Sequence, residues 1–359
     1  MVLSDHLYVN PAARQPLLRE HKHASDTAHN TLLIKETHMH PHRSVSENDK
    51  EDGSIYFIGT ATTIIQWGGL KILTDPNFLH AGDHVHLGPG VNAERQTNPA
   101  VEIDELPPMD LVLLSHYHED HFDQEVEGRL NRTFPIITTP HAKGCLADSK
   151  RKKDDTFNNV HALDFWESLT IHVDDEDGKS RGNGGEKPVV KVTGMPGKHV
   201  PPGPLSIAND FLSAVPPTNG WLLELGYDAS SANAAVPADA VQTGYRIYIS
   251  GDTLLVDELK EIPRWLKDEK IDLMLVHLGG TTIPGPSVPL LMVTMDAAQG
   301  LELMKLMNPD LTIPIHYDDY SVFLSPLSDF KEKVKQEGWE DRVVYLDRGE
   351  LYRFKVREV

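Results

Sequence analysis

The chain contains 359 residues, of which 39% are hydrophobic and 25% charged, which is enough apolar material for one large α/β domain. Its formal net charge of -20 disfavours binding to RNA or DNA, because such binding depends on Lys and Arg side chains that neutralise phosphates. The single cysteine, Cys145, excludes an intrachain disulfide and a thiolate metal cluster. No apolar run reaches the roughly 20 residues that a membrane-spanning helix needs, and the N-terminus lacks the pattern of a secretory signal. We therefore expect a cytoplasmic protein with a small-molecule partner, no nucleic-acid partner and no membrane span.

Residues 1–50 differ from the rest of the chain in being polar, rich in histidine and without sustained periodicity. The histidines of this stretch are His6, His21, His23, His29, His38, His40 and His42. A scattered His-rich tract can bind metal loosely, but a partly ordered arm lying over the domain is the favoured interpretation. The sequence therefore predicts a polar, His-rich N-terminal extension over residues 1–50, without a catalytic role, and one domain over residues 51–359.

Predicted strands begin near Ser54. The stretch SIYFIGTATTIIQWGGLKILTDP predicts successive strands, with Gly68-Gly69 as a two-residue hairpin turn. After a loop rich in Gly, Pro and His at residues 76–100, the run MDLVLLS is typical of a buried strand. A helix and then the strand FPIITT are predicted to follow.

The chain between residues 157 and 250 is predicted to be mainly β, with the strands HALDFW, LTIHVDD, PVVKVTGM, GWLLELGY and YRIYIS. The last third alternates between helices near 256–268, 296–307 and 326–337 and the strands IDLMLVHL, LTIPIHY and, at the end, VVYLDRG. A β-rich half followed by βα units favours two sheets that pack face to face with helices outside.

The strongest chemical signal directly follows the strand MDLVLLS, where three imidazoles and a carboxylate lie within six residues: His116, His118, Asp120 and His121. Because side chains alternate in an extended segment, His116 and His118 point the same way and can share one metal ion. Asp120 and His121 fall on the other side, where the chain turns towards a helix, and can share a second ion. Zinc accepts these ligand types in open catalytic sites. Polar residues of a surface loop are the alternative, and Asp123 is predicted to cap the following helix.

This His-x-His-x-Asp-His motif, with single ligand-type residues at later strand ends, resembles the metallo-β-lactamase fold superfamily. The match extends from about Tyr56 to the C-terminus. Four shorter stretches resemble the branch that contains ascorbate-phosphate lactonase and N-acyl-phosphatidylethanolamine phospholipase D: Ile58-Gly-Thr-Ala-Thr, Leu73-Thr-Asp75-Pro-Asn-Phe, Ser250-Gly-Asp252-Thr and Ile315-His316-Tyr. The resemblance implies an α/β fold, namely an αβ/βα four-layer sandwich of two mixed β-sheets with the metals at one edge, and a hydrolase domain over residues 51–359.

The resemblance also assigns three residues at predicted strand ends. It implies that His199 completes the first metal site, that Asp252 bridges the two ions, and that His316 completes the second site. From the residues alone, the simpler interpretations are a solvated loop histidine, a helix N-cap and a satisfied core histidine, respectively. These residues therefore extend the predicted ligand set without being fixed by the sequence pattern.

Two further residues are predicted to lie beside the ligands. The family would use Asp75 to orient a ligand histidine, whereas a turn-forming Asp-Pro explains this residue equally well. His277 could face the substrate or form a hydrogen bond inside the core. Five further histidines of the domain are predicted to be structural or surface residues: His84, His86, His141, His161 and His172.

These residues predict a metal-dependent hydrolase with two Zn²⁺ ions, and Mn²⁺ or Fe²⁺ are the alternatives. The expected nucleophile is a hydroxide that bridges the ions, because bound metal lowers the pKa of water. Asp120 is expected to orient this nucleophile and to carry a proton to the leaving group. A small cyclic ester or amide, a lactone or lactam, is the favoured substrate, and a phosphodiester of the lipid phospholipase D type is the alternative.

Two other function classes stay open at this point: an iron-dependent oxidoreductase on the same fold, and a metal-stabilised binding protein without catalysis. The loops at residues 76–100, 199–219 and 279–293 are predicted to shape the pocket, because loops at strand ends carry specificity. The sequence assigns no oligomeric state, and a homo-oligomer is compatible with it.

Overall fold

Two β-sheets with helices on both outer faces form the computed structural model of the chain. The residues that it describes are 5–19, 31–42, 51–88, 90–174, 186–201, 203, 209, 215–229, 241–267, 269–285 and 288–358. Both sheets contain parallel and antiparallel pairs. The fold is therefore the predicted α/β class, an αβ/βα four-layer sandwich of two mixed β-sheets.

The strands are numbered in chain order. Those of the first half are β1 (Asp5–Val9), β2 (Thr37–His38), β3 (Gly53–Gly59), β4 (Thr62–Trp67), β5 (Leu70–Thr74), β6 (His84–His86), β7 (Asn92–Glu94), β8 (Leu111–Leu113), β9 (Ile136–Thr138), β10 (Val160–Ala162) and β11 (Ser168–Val173). Those of the second half are β12 (Pro188–Met195), β13 (Gly220–Asp228), β14 (Val241–Ile249), β15 (Leu273–His277), β16 (Gly279–Gly285), β17 (Val288–Met292), β18 (Leu311–Ile315), β19 (Phe323–Ser325) and β20 (Leu351–Phe354).

The helices cover the outer faces of the sheets. The α-helices are α1 (Gln124–Arg129), α2 (Pro140–Leu146), α3 (Glu261–Leu266), α4 (Ala297–Met307) and α5 (Leu327–Glu337). Short 3₁₀ helices lie at Ile103–Glu105, Lys153–Asp155, Asp257–Lys260 and Glu340–Arg342. Across the described ranges, one large sheet has the order β1-β11-β12-β13-β14-β15-β18 and the other β10-β9-β8-β5-β4-β3-β20-β2. Two smaller sheets have the orders β17-β16-β19 and β6-β7.

Alternation of side chains along the strands divides the apolar core into layers. Leu111 of β8 and Leu273 of β15 lie in the core between the two large sheets. Their neighbours Val112 and Met274 point to the opposite faces, where they pack in the cores under the outer helices. A strand that is covered on both faces is apolar throughout, which explains why MDLVLLS and IDLMLVHL lack alternation.

The predicted turn and helices of the domain are confirmed. Gly68 and Gly69 have φ values of 57° and 85° and join β4 to β5, as a two-residue hairpin with two positive φ angles requires. Helix α4 begins after Asp296, whose side chain accepts a hydrogen bond from the Gln299 N–H at 2.9 Å. It ends at Asn308, which has a φ of 44°. The helix limits predicted near 296–307 and 326–337 therefore lie within one residue of the observed ones.

Two element predictions are wrong. The closing strand is β20, and not VVYLDRG, because a turn interrupts that stretch: the Glu350 N–H donates to the Asp347 carbonyl at 3.0 Å. Val343 forms only an isolated bridge to Thr312. The segment 279–293, predicted as a loop, instead contains β16 and β17, whose Gly and Pro residues disguise the strand pattern.

A buried arginine fixes the segment that carries β6 and β7. The Arg95 side chain is fully buried and donates hydrogen bonds to the Asn77 side-chain oxygen at 2.7 Å and to the Thr97 carbonyl at 2.9 Å. It also lies 3.7 Å from the carboxylate of Asp319, which is itself buried. Tyr320 packs against the guanidinium at 5.2 Å. These contacts tie the residue 76–100 segment to the region that follows β18.

Two described parts of the first fifty residues contribute strands to the large sheets. Strand β1 pairs in parallel with β11, and β2 pairs in parallel with β20, so each lies at one edge. The prediction that the strands begin near Ser54 is therefore wrong, because these two short edge strands precede it. Arg14 forms two hydrogen bonds of 2.9 Å to Asp110, next to the β4–β5 turn. Histidines His21, His23 and His29 lie outside the described residues. None of the helices in the described ranges has the length and hydrophobicity that a membrane span requires.

Candidate metal centre

The predicted ligand residues gather at one edge of the sandwich, where strands from both large sheets end. The segment after β8 brings His116, His118, Asp120 and His121 from the eight-stranded sheet. The seven-stranded sheet brings the other ligand-type residues, which follow β12, β14 and β18: His199, Asp252 and His316. Carboxyl ends of neighbouring parallel strands commonly form ligand sites, so this placement follows from the topology.

The first group consists of three imidazoles, His116, His118 and His199, whose nitrogen atoms lie within 4.8 Å of one another. The Nε2 atoms of His116 and His199 are 3.0 Å apart. His199 Nδ1 lies 2.8 Å from the Val293 carbonyl, which can only accept, so Nδ1 carries the proton and Nε2 a lone pair. His116 is in the same state, because the Ser115 hydroxyl donates to Asp75 and accepts from His116 Nδ1 at 2.9 Å. Two lone pairs that face each other at this distance are stabilised by a cation between them.

The second group contains Asp120, His121, Asp252 and His316, all buried and again within 4.8 Å. The Nε2 atoms of His121 and His316 are 3.2 Å apart. Asp252 Oδ2 lies 3.3 Å from His121 Nε2 and 3.5 Å from His316 Nε2. His316 Nδ1 donates to the Leu278 carbonyl at 3.0 Å, which leaves the Nε2 lone pair for a cation.

Asp252 is held from both sides. His277 Nδ1 lies 2.9 Å from Asp252 Oδ1, and the Thr294 hydroxyl donates to Asp252 Oδ2 at 2.9 Å. The His277 ring lies parallel to the ring of His316, with centroids 5.5 Å apart. His277 therefore forms the buried hydrogen bond that was one of its two predicted roles, and its partner is a ligand-type carboxylate.

Asp75 lies behind the histidines of the β8 segment. Its Oδ1 atom accepts hydrogen bonds from the Ser115 N–H at 2.7 Å and from the Ser115 hydroxyl at 2.8 Å, and it lies 3.5 Å from His121 Nδ1. Asp123 caps α1, as predicted: its side chain accepts from the Val126 N–H at 2.8 Å. The prediction that separated Asp123 from the ligand residues is thus confirmed.

Backbone strain is concentrated around the same edge. Asp75 and His316 have φ values of 35° and 61°, in the left-handed region that residues other than glycine rarely adopt. The His316 N–H is fixed by the Thr60 carbonyl at 2.7 Å, and Thr60 itself has a φ of 52°. Strained positions of this kind persist where the surrounding contacts determine them, and they cluster at functional sites.

The electrostatics of the cluster favour neutral imidazoles in the first group and positive charge in the second. Burial lowers the pKa of His118 to about 4 and holds the pKa of His116 well below its usual value, so both imidazoles are neutral near pH 7. For Asp120, burial acts to raise the pKa, but His121 and His316 outweigh it and lower the pKa to about 2. Burial lowers the pKa of His121, yet Asp252 and Asp120 raise it well above the usual value. The two carboxylates thus attract positive charge to this point.

Some buried atoms of the cluster have no hydrogen-bond partner among the described residues, notably His118 Nε2 and Asp120 Oδ1. Leaving such an atom unsatisfied costs about 1–3 kcal/mol, so these atoms require an explanation. The donor set of imidazoles and ionised carboxylates is the set that zinc and related divalent cations take, and such a cation would replace the proton that the carboxylates favour on His121. The residues present therefore fit a metal centre.

The three segments predicted to shape the pocket each contribute to its wall. The open space over the cluster measures about 270 Å³. Its lining residues come from the metal cluster and from all three segments: Leu87, His118, Asp120, His199, Val215, Asp252, Thr281, Ile283 and Val293. The predicted contribution of residues 76–100, 199–219 and 279–293 to the pocket is confirmed.

Sequence reasoning missed several groups that orient the cluster. These are Ser115, Thr294 and the backbone carbonyls of Leu278 and Val293. A carbonyl has no sequence signature, and nothing in the run VTMDAAQG marks Thr294 except its place just before the α4 cap.

The remaining histidines of the domain lie outside both groups. His84 and His86 are exposed on β6, and His172 forms a contact of 2.8 Å with His6. A third set of metal-type residues, Glu36, His38 and Glu350, lies at the β2–β20 edge, where a contact of 2.8 Å between His38 and Glu350 explains it as an ordinary ion pair.

Comparison with known proteins identifies the family. The sequence profile described as the Beta-lactamase superfamily domain matches residues 70–317. A "UPF0173 metal-dependent hydrolase" of Archaeoglobus fulgidus is 23% identical over 300 residues, which cover 84% of this chain and 98% of that protein. The mitochondrial N-acyl-phosphatidylethanolamine-hydrolyzing phospholipase D of Saccharomyces cerevisiae is 30% identical over 141 residues, but these cover only 38% of this chain and 28% of the yeast protein.

Solved structures with the same fold agree with this assignment. The crystal structure of an isothiocyanate hydrolase from Delia radicum gut bacteria has a TM-score of 0.61 at 18% identity and covers 84% of this chain and 99% of that one. At such identity the similarity shows the fold alone, whereas the profile covers more than half of the chain. The chain therefore belongs to the metallo-β-lactamase superfamily of metal-dependent hydrolases.

Proposed function

We propose that the protein holds two zinc ions and hydrolyses a small cyclic ester or amide. The observation that supports this proposal is the pair of ligand groups at the sheet edge, each with its ligand-type atoms within 4.8 Å of one another. One ion would be held by His116, His118 and His199. The other would be held by Asp120, His121 and His316.

Asp252 is the residue that we assign to both ions. Its Oδ2 atom lies within 3.5 Å of His121 and His316, and its side chain lines the same cavity as His118 and His199. An anionic bridge reduces the repulsion between two neighbouring cations, which other two-metal sites hold about 3.5–4 Å apart.

Zinc ions held in this way supply Lewis acidity and lower the pKa of water to about 7. The protein itself supplies orientation and proton transfer. Asp120 lines the cavity, and its Oδ1 atom has no hydrogen-bond partner within the described part of the chain. We assign to Asp120 the orientation of the attacking water and the transfer of its proton to the leaving group. The carbonyls of Val293 and Leu278 hold the Nδ1 protons of His199 and His316, and so keep each Nε2 available as a ligand.

A small substrate is favoured by the size of the pocket. Little of the open space of about 270 Å³ is enclosed: only about 10 Å³ of it admits the centre of a water-sized molecule, far less than the about 300–1,000 Å³ that is typical of ligand pockets. A lipid phosphodiester, the alternative that the similarity to the yeast phospholipase D raises, would place most of its acyl chains outside this space. A chromogenic phosphodiester and a panel of lactones and lactams distinguish the two.

The single cysteine, Cys145, is compatible with a reducing compartment, and we propose a cytoplasmic location on that basis. The proposed partner is the small-molecule substrate alone, with no nucleic acid.

The experiment that tests the proposed function combines metal analysis with activity. We expect two zinc ions per purified chain and hydrolysis of at least one lactone or lactam. His199→Ala and His316→Ala should each lose one ion and the activity, whereas His84→Ala, an exposed histidine outside the cluster, should keep both. A single iron with oxygen uptake would support an oxidoreductase instead. Full zinc content in both cluster variants would contradict the ligand assignment.

A further inference from the structure

The pocket over the metal centre is lined in part by residues that lie outside the metal cluster, among them Leu87, Thr281 and Ile283. Resting on the function proposed above, we propose that the substrate is a compact, uncharged ester or amide whose apolar part packs against Leu87 and Ile283 and whose polar atom accepts a hydrogen bond from Thr281. Thr281 would then be a substrate-contacting residue that lies outside the metal cluster.

The first observation is the buried side-chain hydroxyl of Thr281. The residue lies on β16, is 3% exposed and lines the pocket, yet its hydroxyl has no hydrogen-bond partner within the described ranges. A hydroxyl that is buried without a partner is costly, so a group beside the metal centre that lacks one is best explained as awaiting the substrate. Its neighbour Thr282 differs, because that hydroxyl donates to the Gly280 carbonyl at 2.8 Å.

The apolar wall is the second observation. The side chains of Leu87, Val215, Ile283 and Val293 line the pocket together with the charged residues of the cluster. Leu87 belongs to a small apolar cluster with Val85, Val91 and Val322, and Ile283 packs against it, so the wall is a packed surface. It therefore offers a fixed apolar surface for an alkyl or ring group.

The charges of the lining residues exclude an anionic substituent on this wall. Among the described lining residues, the charged side chains are the carboxylates of Asp120 and Asp252, and Lys and Arg do not occur. Away from the proposed zinc ions, a carboxylate on the apolar part of the substrate would lose its hydration against Leu87 and Ile283, where the described lining provides no cationic side chain. An uncharged substrate avoids this cost.

The test uses the zinc-loaded full chain and three substrates. A neutral short-chain lactone is compared with the same ring carrying a carboxylate on its alkyl group, and a chromogenic phosphodiester serves as a third arm. We expect the neutral lactone to have the highest kcat/KM. Binding without hydrolysis is measured by calorimetry with a cyclic ketone, which offers a carbonyl oxygen but has no bond that the enzyme could hydrolyse.

Thr281→Val should lower kcat/KM for the neutral lactone, and the affinity for the cyclic ketone, by about 10-fold, as expected for the loss of one buried hydrogen bond. Its Tm should stay equal or rise, because the substitution removes an unsatisfied buried hydroxyl. Thr281→Ser should restore activity. Thr282→Val is the matched control: it should lower Tm and leave kcat/KM unchanged, because its hydroxyl serves the fold.

The outcomes separate this inference from the proposed function. Equal kcat/KM in wild type and Thr281→Val, or preference for the carboxylate-bearing lactone, would overturn the inference while hydrolysis itself stands. Preference for the phosphodiester would overturn the substrate class. Zinc-loaded wild type that cleaves no compound of the panel would contradict the proposed function, and the inference with it.

Discussion

Asp252 and the two side chains that hold it determine how well the cluster is ordered. Each oxygen of its carboxylate accepts one hydrogen bond of 2.9 Å, from His277 on one side and from Thr294 on the other. A carboxylate held in this way has little rotational freedom left to lose when it binds a cation. His277 is therefore a positioning residue for the metal centre.

His277→Ala should weaken zinc binding about 10- to 100-fold, the range found when a residue that supports a metal ligand is removed. Competition with a chromophoric chelator measures the dissociation constant, and circular dichroism checks that the variant remains folded. His84→Ala, which alters an exposed histidine, is the control. Unchanged zinc affinity in His277→Ala would mean that the contact with Asp252 has no role in holding the metal.

Asp120→Asn keeps the shape of the side chain but removes its charge and its capacity to accept a proton. We expect kcat to fall by about 100-fold or more, because general acid–base catalysis contributes typically 10²–10⁴-fold. Steady-state kinetics at saturating zinc measure the effect, with Asp104→Asn, a surface residue that pairs with Arg129, as the control. Turnover equal to wild type would remove Asp120 from the proposed mechanism.

At the scale of single elements, the buried contacts of Arg95 fix the position of the segment that bears Leu87. Arg95→Met should destabilise the protein by about 3 kcal/mol, because the substitution leaves the buried carboxylate of Asp319 with one cation fewer. Urea unfolding followed by fluorescence measures the change. Arg348→Met is the matched variant: Arg348 also pairs with Asp319 but is 23% exposed, so its loss should cost less. Equal losses in the two variants would contradict this ranking.

The described N-terminal segment that contains Arg14 packs against the domain. Arg14 forms a bidentate ion pair with Asp110, whose side chain is 2% exposed, and also donates to the Gly69 carbonyl at 2.5 Å. We expect Arg14→Ala to lower the free energy of unfolding by about 1–3 kcal/mol, because it removes the guanidinium that forms two hydrogen bonds with the buried carboxylate of Asp110. Thermal unfolding measures the change, and Lys187→Ala, an exposed ion pair with Asp174, should have almost no effect.

The sequence predicted those elements whose periodicity or turn chemistry is local. Examples are the Gly68-Gly69 hairpin and helix α4 with its Asp296 cap. It also predicted that seven ligand-type residues would gather at one edge. Four of them lie in one motif directly after an apolar strand, and the resemblance to the family assigned the other three. It did not predict the β16–β17 hairpin, whose Gly and Pro residues hide the alternation, or the role of Thr294, which depends on a neighbour far away in sequence. That residues 1–50 form an extension separate from the domain stays a prediction.

At the scale of the whole molecule, the two sheets meet at the metal centre, because each supplies part of each ligand group. His116 and His118 come from the eight-stranded sheet and His199 from the seven-stranded sheet; the second group is divided in the same way. A cation held by these residues, as we propose, would therefore connect the two layers.

Removal of the metal should lower the stability of the whole domain. A ligand that binds only the folded state stabilises it by about 2.7 kcal/mol when present at about 100 times its dissociation constant. We expect a strong chelator to lower Tm by several degrees, measured by calorimetry, and added zinc to reverse the shift. His199→Ala should show a smaller response, because one ligand group is incomplete. An identical Tm with and without chelator would show that the ions do not join the layers.

The division of the cluster between two sheets also determines when the site can form during synthesis. The stretch from His116 to His121 leaves the ribosome long before His316 is made, and it presents only part of each coordination shell. An ion captured at that stage would be held by imidazoles of one layer and could exchange freely. Only after strand β18 has joined its sheet does the nascent protein enclose the site, so productive loading awaits the arrival of the last third of the chain.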